Sequence, residues 1–227
     1  MEGEPLNPSA AYKFLRPGAV GPFSGFSWPT PTGGVPGEWV EAPTDAGACR
    51  DGVHACERRH LPYWIWEELW EVELEGDVER VGHKIRASRG RLVGRIESWA
   101  PDCAKSFSVA CARRAAHHAA RALHDAGRDD AAEVFEAEAD LGSLRALTAE
   151  LWDDLAIETR IPVGMASDGA LRALTAEASG EPYVSAHGGA VCAYIAAMTA
   201  LRVGGEDALE HERSWQADWL GRELAVD

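Results

Sequence analysis

Two thiols and two imidazoles stand close together in the pattern Cys49-x4-His54-x-Cys56-x3-His60. Four such donors suffice for a tetrahedral zinc. Structural zinc sites commonly pair their ligands as C-x2–4-C and H-x3–5-H, however, and Arg50, Arg58 and Arg59 add positive charge beside this set. The expectation is reduced thiols beside His54 and no bound metal. A Cys49–Cys56 disulfide would need an oxidising compartment.

His54 is the residue of most chemical interest. It sits between Val53 and Ala55 and is followed by Tyr63, Trp64 and Trp66. An imidazole there titrates near neutral pH and serves as acid, base or donor. The plainer reading is a core histidine with one backbone hydrogen bond, and both readings stand. The residues expected to contact a ligand are His54, Tyr63, Tyr12, Lys13, Trp28 and Trp66, in a pocket that the loop at residues 20–37 also lines. No catalytic residue and no metal ligand is assigned. There is no G-x-G-x-x-G, P-loop, H-E-x-x-H or G-x-S-x-G, which leaves the dinucleotide, NTPase, zincin and hydrolase readings without support.

Positioning these groups requires strands. Residues 11–15 read as a first strand and 53–55 as another, while 61–66 open a brief aromatic helix or turn. Residues 69–75 alternate, with Trp70, Val72 and Leu74 on one face and Glu71, Glu73 and Glu75 on the other. Residues 20–37, crowded with proline and glycine, read as a long ordered loop pinned by aromatic side chains. Residues 38–41 form a short strand, a turn follows at 43–47, and residues 1–9 are a loose tail. A basic run from Arg80 to Arg95 has two readings, a phosphate site or cross-strand partners for the acidic ladder; the second is preferred.

Composition changes near residues 98–102. Residues 1–100 carry 11 Lys/Arg against 15 Asp/Glu, and residues 101–227 carry 11 against 22. Most prolines and tryptophans precede the change and alanine-rich helical spacing follows it. The expected class is α+β: a small mixed or antiparallel sheet domain at 1–98, packed on an acidic all-α bundle at 99–227. Stop signals divide the second half into about six helices: one from Pro101, one over 129–140, one from Ser143 that breaks before Pro162, one from Ser167 or Asp168 to Gly180, one from Pro182 to Gly204, and one from Glu206. The heptapeptide LRALTAE, at 144–150 and again at 171–177, is too few copies for a repeat architecture.

The net charge of −15 argues against nucleic acid and anionic membrane as partners. The apolar run 190–201 is shorter than a membrane span, and the odd cysteine count suits a reducing cytoplasm.

The residues Tyr12-Lys13-Phe14-Leu15, Cys49-x2-Gly52-Val53-His54-Ala55-Cys56-Glu57, Leu61-Pro62-Tyr63, Leu69-Trp70-Glu71-Val72-Glu73 and Lys84-Ile85-x-Ala87 resemble a domain of unknown function from phage and actinobacterial proteins. That resemblance spans about residues 11–97, and Glu212-Arg213-x-x-Gln216-x-x-Trp219-Leu220 resembles the ends of actinobacterial relatives. It implies no established activity. A second likeness is to the ADP-ribosyltransferase fold, whose G-x-[YH]-x-[AS] strand, helical tyrosine and V-x-[VL]-x-G strand are similar to Gly52-Val53-His54-Ala55, Tyr63 and residues 72–76. It implies a nicotinamide pocket with Tyr12 near the first strand, and NAD there; apart from what this likeness implies, no cofactor is expected. The family's catalytic glutamate has no counterpart in the basic run. Three readings follow: a module binding a nucleotide-like or other small anionic ligand, a transferase acting on NAD, and a phage- or mobile-element-associated interaction protein. Any self-association or protein partner would use the helical half.

Overall fold

Among the described residues, alternating apolar residues and turn-forming glycines build seven short strands between residues 11 and 95. The computed structural model describes residues 10–43, 52–137 and 140–226; Cys49, the 1–9 tail and most of the 43–47 turn lie outside them. The strands are β1 (Ala11–Leu15), β2 (Val40–Glu41), β3 (Val53–Ala55), β4 (Glu68–Glu75), β5 (Glu79–Val81), β6 (Lys84–Ala87) and β7 (Arg89–Arg95). They form two antiparallel sheets in the orders β1-β4-β7-β2 and β3-β6-β5. A backbone bridge joins the sheets, because Tyr12 and Cys56 exchange both N–H···O bonds at 2.8 Å. Ala11, Leu15, Val72, Leu74 and Leu92 of one sheet share a buried cluster with Val53, Ala55, Ile85 and Ala87 of the other.

Cross-strand charge pairing accounts for much of the basic run. Arg91 stands opposite Glu73 and Arg89 opposite Glu75, with contacts of 2.6 and 2.9 Å. Both guanidinium groups lie 4.5 Å from the ring of Trp39. Arg80 reaches Glu57, and Arg86 reaches Glu79. Strict alternation in β7 fails at one place: a bulge between Glu71 and Val72 leaves Val93 as the extra residue, which re-aims Arg95 toward Glu68 at 3.3 Å. Gly82, at φ 58°, opens the two-residue turn between β5 and β6, the position that a type II′ hairpin reserves for glycine.

The loop at 20–37 is ordered, and its aromatic side chains pin it only in part. Trp28 is buried, whereas Phe23 and Phe26 are exposed. Much of the anchoring comes from Glu68, whose buried carboxylate accepts the N–H groups of Gly18 (3.1 Å) and Ala19 (3.0 Å) and the indole N–H of Trp70 (3.1 Å). Ala19 sits at φ 57°, a costly conformation for a residue with a Cβ; the two bonds from Glu68 and the pairing of Ala19 O with Trp28 N–H (3.0 Å) hold it there.

Helices follow: α1 (Pro101–Asp125), α2 (Asp129–Glu136), α3 (Leu141–Leu151), α4 (Ile157–Ala178) and α5 (Pro182–Leu224). The backbone of α5 is broken at Gly205 (φ 76°), where the sequence signals a stop. α4 begins ten residues earlier than Ser167. Its Pro162 lies inside the helix, one turn in from the start; the carbonyl it leaves unpaired belongs to exposed Glu158, while the ring is buried. Small residues set the helix spacing. A Cβ at Gly188 would lie 2.6 Å from that of Ala176, and one at Gly189 3.5 Å from Phe107. The charged core of this region is Glu212, fully buried, which accepts from Arg114, His118 and Gln216 at 2.9 to 3.0 Å. α5 is long and apolar enough to cross a membrane by length and composition, yet 61% of that window is buried inside the fold, as in a core helix.

The chain divides into two compact units, residues 1–100 with 220–227 and residues 101–219. The return of the last residues to the first unit carries no compositional signal. Ser98 marks it by donating to Leu224 O (3.3 Å).

Candidate functional site

β1 carries the residue around which the candidate site is built. Alternation puts Ala11, Lys13 and Leu15 on one face of the strand, and Ala11 and Leu15 are core residues. Lys13 is thus a cation on an inward face. Its Nζ donates to the backbone carbonyl of His54 at 2.5 Å and lies 5.1 Å from the centre of the Trp28 ring, so a carbonyl dipole and an aromatic face take the place of a carboxylate. Burial pulls its amine down to about 8, against a small opposing influence from the neighbouring Cys56.

A cavity of about 570 Å³ opens over this amine. Tyr12, Lys13, Trp28, His54 and Trp66, all expected to contact a ligand, line it. Tyr63 does not: it stacks on His83 with ring centres 3.8 Å apart, and His60 packs against the same pair. The separation has a local cause. Residues 58–63 form a 3₁₀ turn that ends before Trp64, so the aromatic run is split and Trp64 and Trp66 face the cavity without Tyr63.

Phe23 and Phe26 bring in the 20–37 loop, which the sequence also puts at the pocket. Outside the expected set are Glu41 and Ala42, from β2 and the residue after it, and Lys84 from the start of β6. Phe23 is 82% exposed and meets Trp66 edge-to-face at 6.1 Å. Apolar rings left in water at the mouth of a cavity are ready stacking surfaces. In the sequence Lys84 stands out only in the basic run and in the Lys84-Ile85-x-Ala87 motif.

The metal question is partly answered by placement. Cys56 is a buried free thiol, and burial pushes it up to about 12, so it is protonated at neutral pH. His60 is held below the usual imidazole range by burial and by the charge of Arg59. Among the described residues, no three His, Cys, Asp or Glu side chains gather to hold a metal ion.

Residues 9–101 match the family model of a domain of unknown function, DUF7666. The match takes in all seven strands and every residue placed at the cavity. No curated protein and no solved structure matches the chain.

Proposed function

We propose that the sheet-bearing unit binds a small anionic molecule with a planar, nucleotide-like group in the cavity over Lys13. The observation that carries this reading is the inward lysine. A charge on an apolar face costs stability unless it is paired, and among the described residues no carboxylate pairs with Lys13. An anion entering the cavity completes it. Trp28, Trp66 and Phe23 supply faces for a flat group, and Lys84 a second cation. At pH 7 an amine titrating near 8 is mostly protonated, so the charge is present when the ligand arrives. The free thiols suit a reducing location such as the cytoplasm.

One observation favours a second reading, an enzyme acting on NAD. Glu41 lines the cavity with Tyr12 and His54, and an NAD transferase needs such a carboxylate. Against it, Tyr63 lies away from the cavity, and Glu73 and Glu75 are held by arginines. Binding without turnover remains the preferred function.

Native mass spectrometry of the protein as purified, without chelator, tests the proposal. A co-purifying anion released by denaturation supports it. Incubation with NAD separates the readings, since nicotinamide release that is lost in Glu41→Gln would put the enzyme first.

A further inference from the structure

The chain contains 19 arginines and only three lysines, Lys13, Lys84 and Lys105. Two of those three line the same cavity, and one of them points inward from β1. Where this sequence needs a cation for pairing across strands, it uses arginine, as at residues 80, 86, 89, 91 and 95. Arginine cannot lose its proton in a protein; a lysine in a desolvated pocket can, and then becomes a nucleophile.

We propose that Lys13 is a nucleophile that captures a carbonyl-bearing ligand as an imine. This rests on the cavity over Lys13 being a ligand site, and it names the chemical class of that ligand as an aldehyde or ketone. The neutral amine donates one hydrogen to the carbonyl oxygen of His54, and that contact fixes Nζ with its lone pair turned away from the donor bond. The lone pair adds to the carbonyl carbon, forming the C–N bond, while one amine proton passes to the carbonyl oxygen. The resulting carbinolamine loses its hydroxyl together with the second amine proton as water, and the C=N bond forms. No electrons are gained or lost, and no co-reactant is needed. The other candidate nucleophile in the cavity, the Cys56 thiol, is protonated at neutral pH. Lys13 at about 8 offers on the order of 100-fold more free amine at pH 7 than an ordinary lysine.

The test is reductive trapping on the whole chain. The protein is incubated with benzaldehyde and cyanoborohydride at pH 7.5, digested, and mapped by mass spectrometry. The expected result is an adduct on Lys13 at least about tenfold faster than on Lys84 or Lys105, lost in Lys13→Arg and retained in Lys105→Arg. Trapping should speed up between pH 7 and 8. Equal labelling of the three lysines in the unmodified chain, or preference for Lys84 or Lys105, overturns the inference even if a variant misfolds. Failure of the binding proposal itself shows elsewhere, in titrations with nucleotides that carry no free aldehyde or ketone.

Discussion

The Nζ of Lys13 lies 2.5 Å from the backbone oxygen of His54, so the two residues on which the candidate site depends are joined through the main chain of one and the side chain of the other. Histidine at position 54 therefore matters to Lys13 through its carbonyl, which any residue would supply. The imidazole is a separate contributor to the cavity wall. His54→Ala should keep the lysine in place and the fold intact, with a change in melting temperature within about 2 °C, while weakening ligand binding. A drop of more than about 8 °C would instead identify the imidazole as a core-packing group.

Lys13→Met should stabilise the protein. Replacing a part-buried, poorly paired charge by an apolar chain of similar length removes its desolvation cost, worth about 1–2 kcal/mol here. That is a rise of a few degrees in melting temperature at pH 7. Thermal melts of the two proteins check this, and a lower melting temperature in the methionine variant would mean that the lysine is structurally required.

The same amine sets a pH dependence. Its folded value of about 8 lies below the unfolded one. Between these values the unfolded chain binds more protons than the native state, so stability attributable to Lys13 rises as pH increases from 8 toward 10. Lys13→Met should abolish that rise. Anion affinity moves the opposite way and falls as pH climbs through 8.

Glu68→Ala should cost about 2–3 kcal/mol, because it strands the buried N–H of Ala19 and the buried indole N–H of Trp70 together. Since the loop that follows Ala19 carries Phe23 and Phe26 to the cavity, ligand affinity should fall as well. Chemical denaturation and a binding titration on one preparation measure both effects.

In the helical unit, burial alone would raise the Glu212 carboxyl, but the hydrogen bond from His118 and the charge of Arg114 overcome it and hold the group below the usual range. The depressed value means that its stabilisation is present above the ordinary carboxylate range and is lost as pH falls through the folded value. Glu212→Ala leaves Arg114 without its carboxylate and should cost about 3–5 kcal/mol at pH 7. The difference between parent and variant should shrink toward pH 3 in acid melts.

The sequence carried the strands well wherever one face alternates, as at Trp70, Val72 and Leu74, and it placed the helix break at Gly205 because two glycines interrupt an alanine-rich run. Five of the six residues expected at the site do converge. Tyr63 does not, because sequence neighbours separated by a tight 3₁₀ turn need not face the same way. The special character of Lys13 was legible in part, since it breaks the apolar face formed by Ala11 and Leu15. The role of Glu68 in holding the loop was not, because the loop N–H groups it accepts lie 49 and 50 positions away along the chain, and no local pattern announces a contact of that kind. The return of residues 220–227 to the first unit escapes composition for the same reason.

Calorimetric titration with ADP at pH 7.0, run on the parent chain and on Lys13→Met, bears most directly on the anion site. The account predicts saturable binding by the parent and at least about tenfold weaker binding by the variant, the loss expected when a charge-assisted contact is removed. Binding of equal strength by the two proteins, or no heat of binding from the parent with ADP, ADP-ribose or inorganic phosphate, would contradict it.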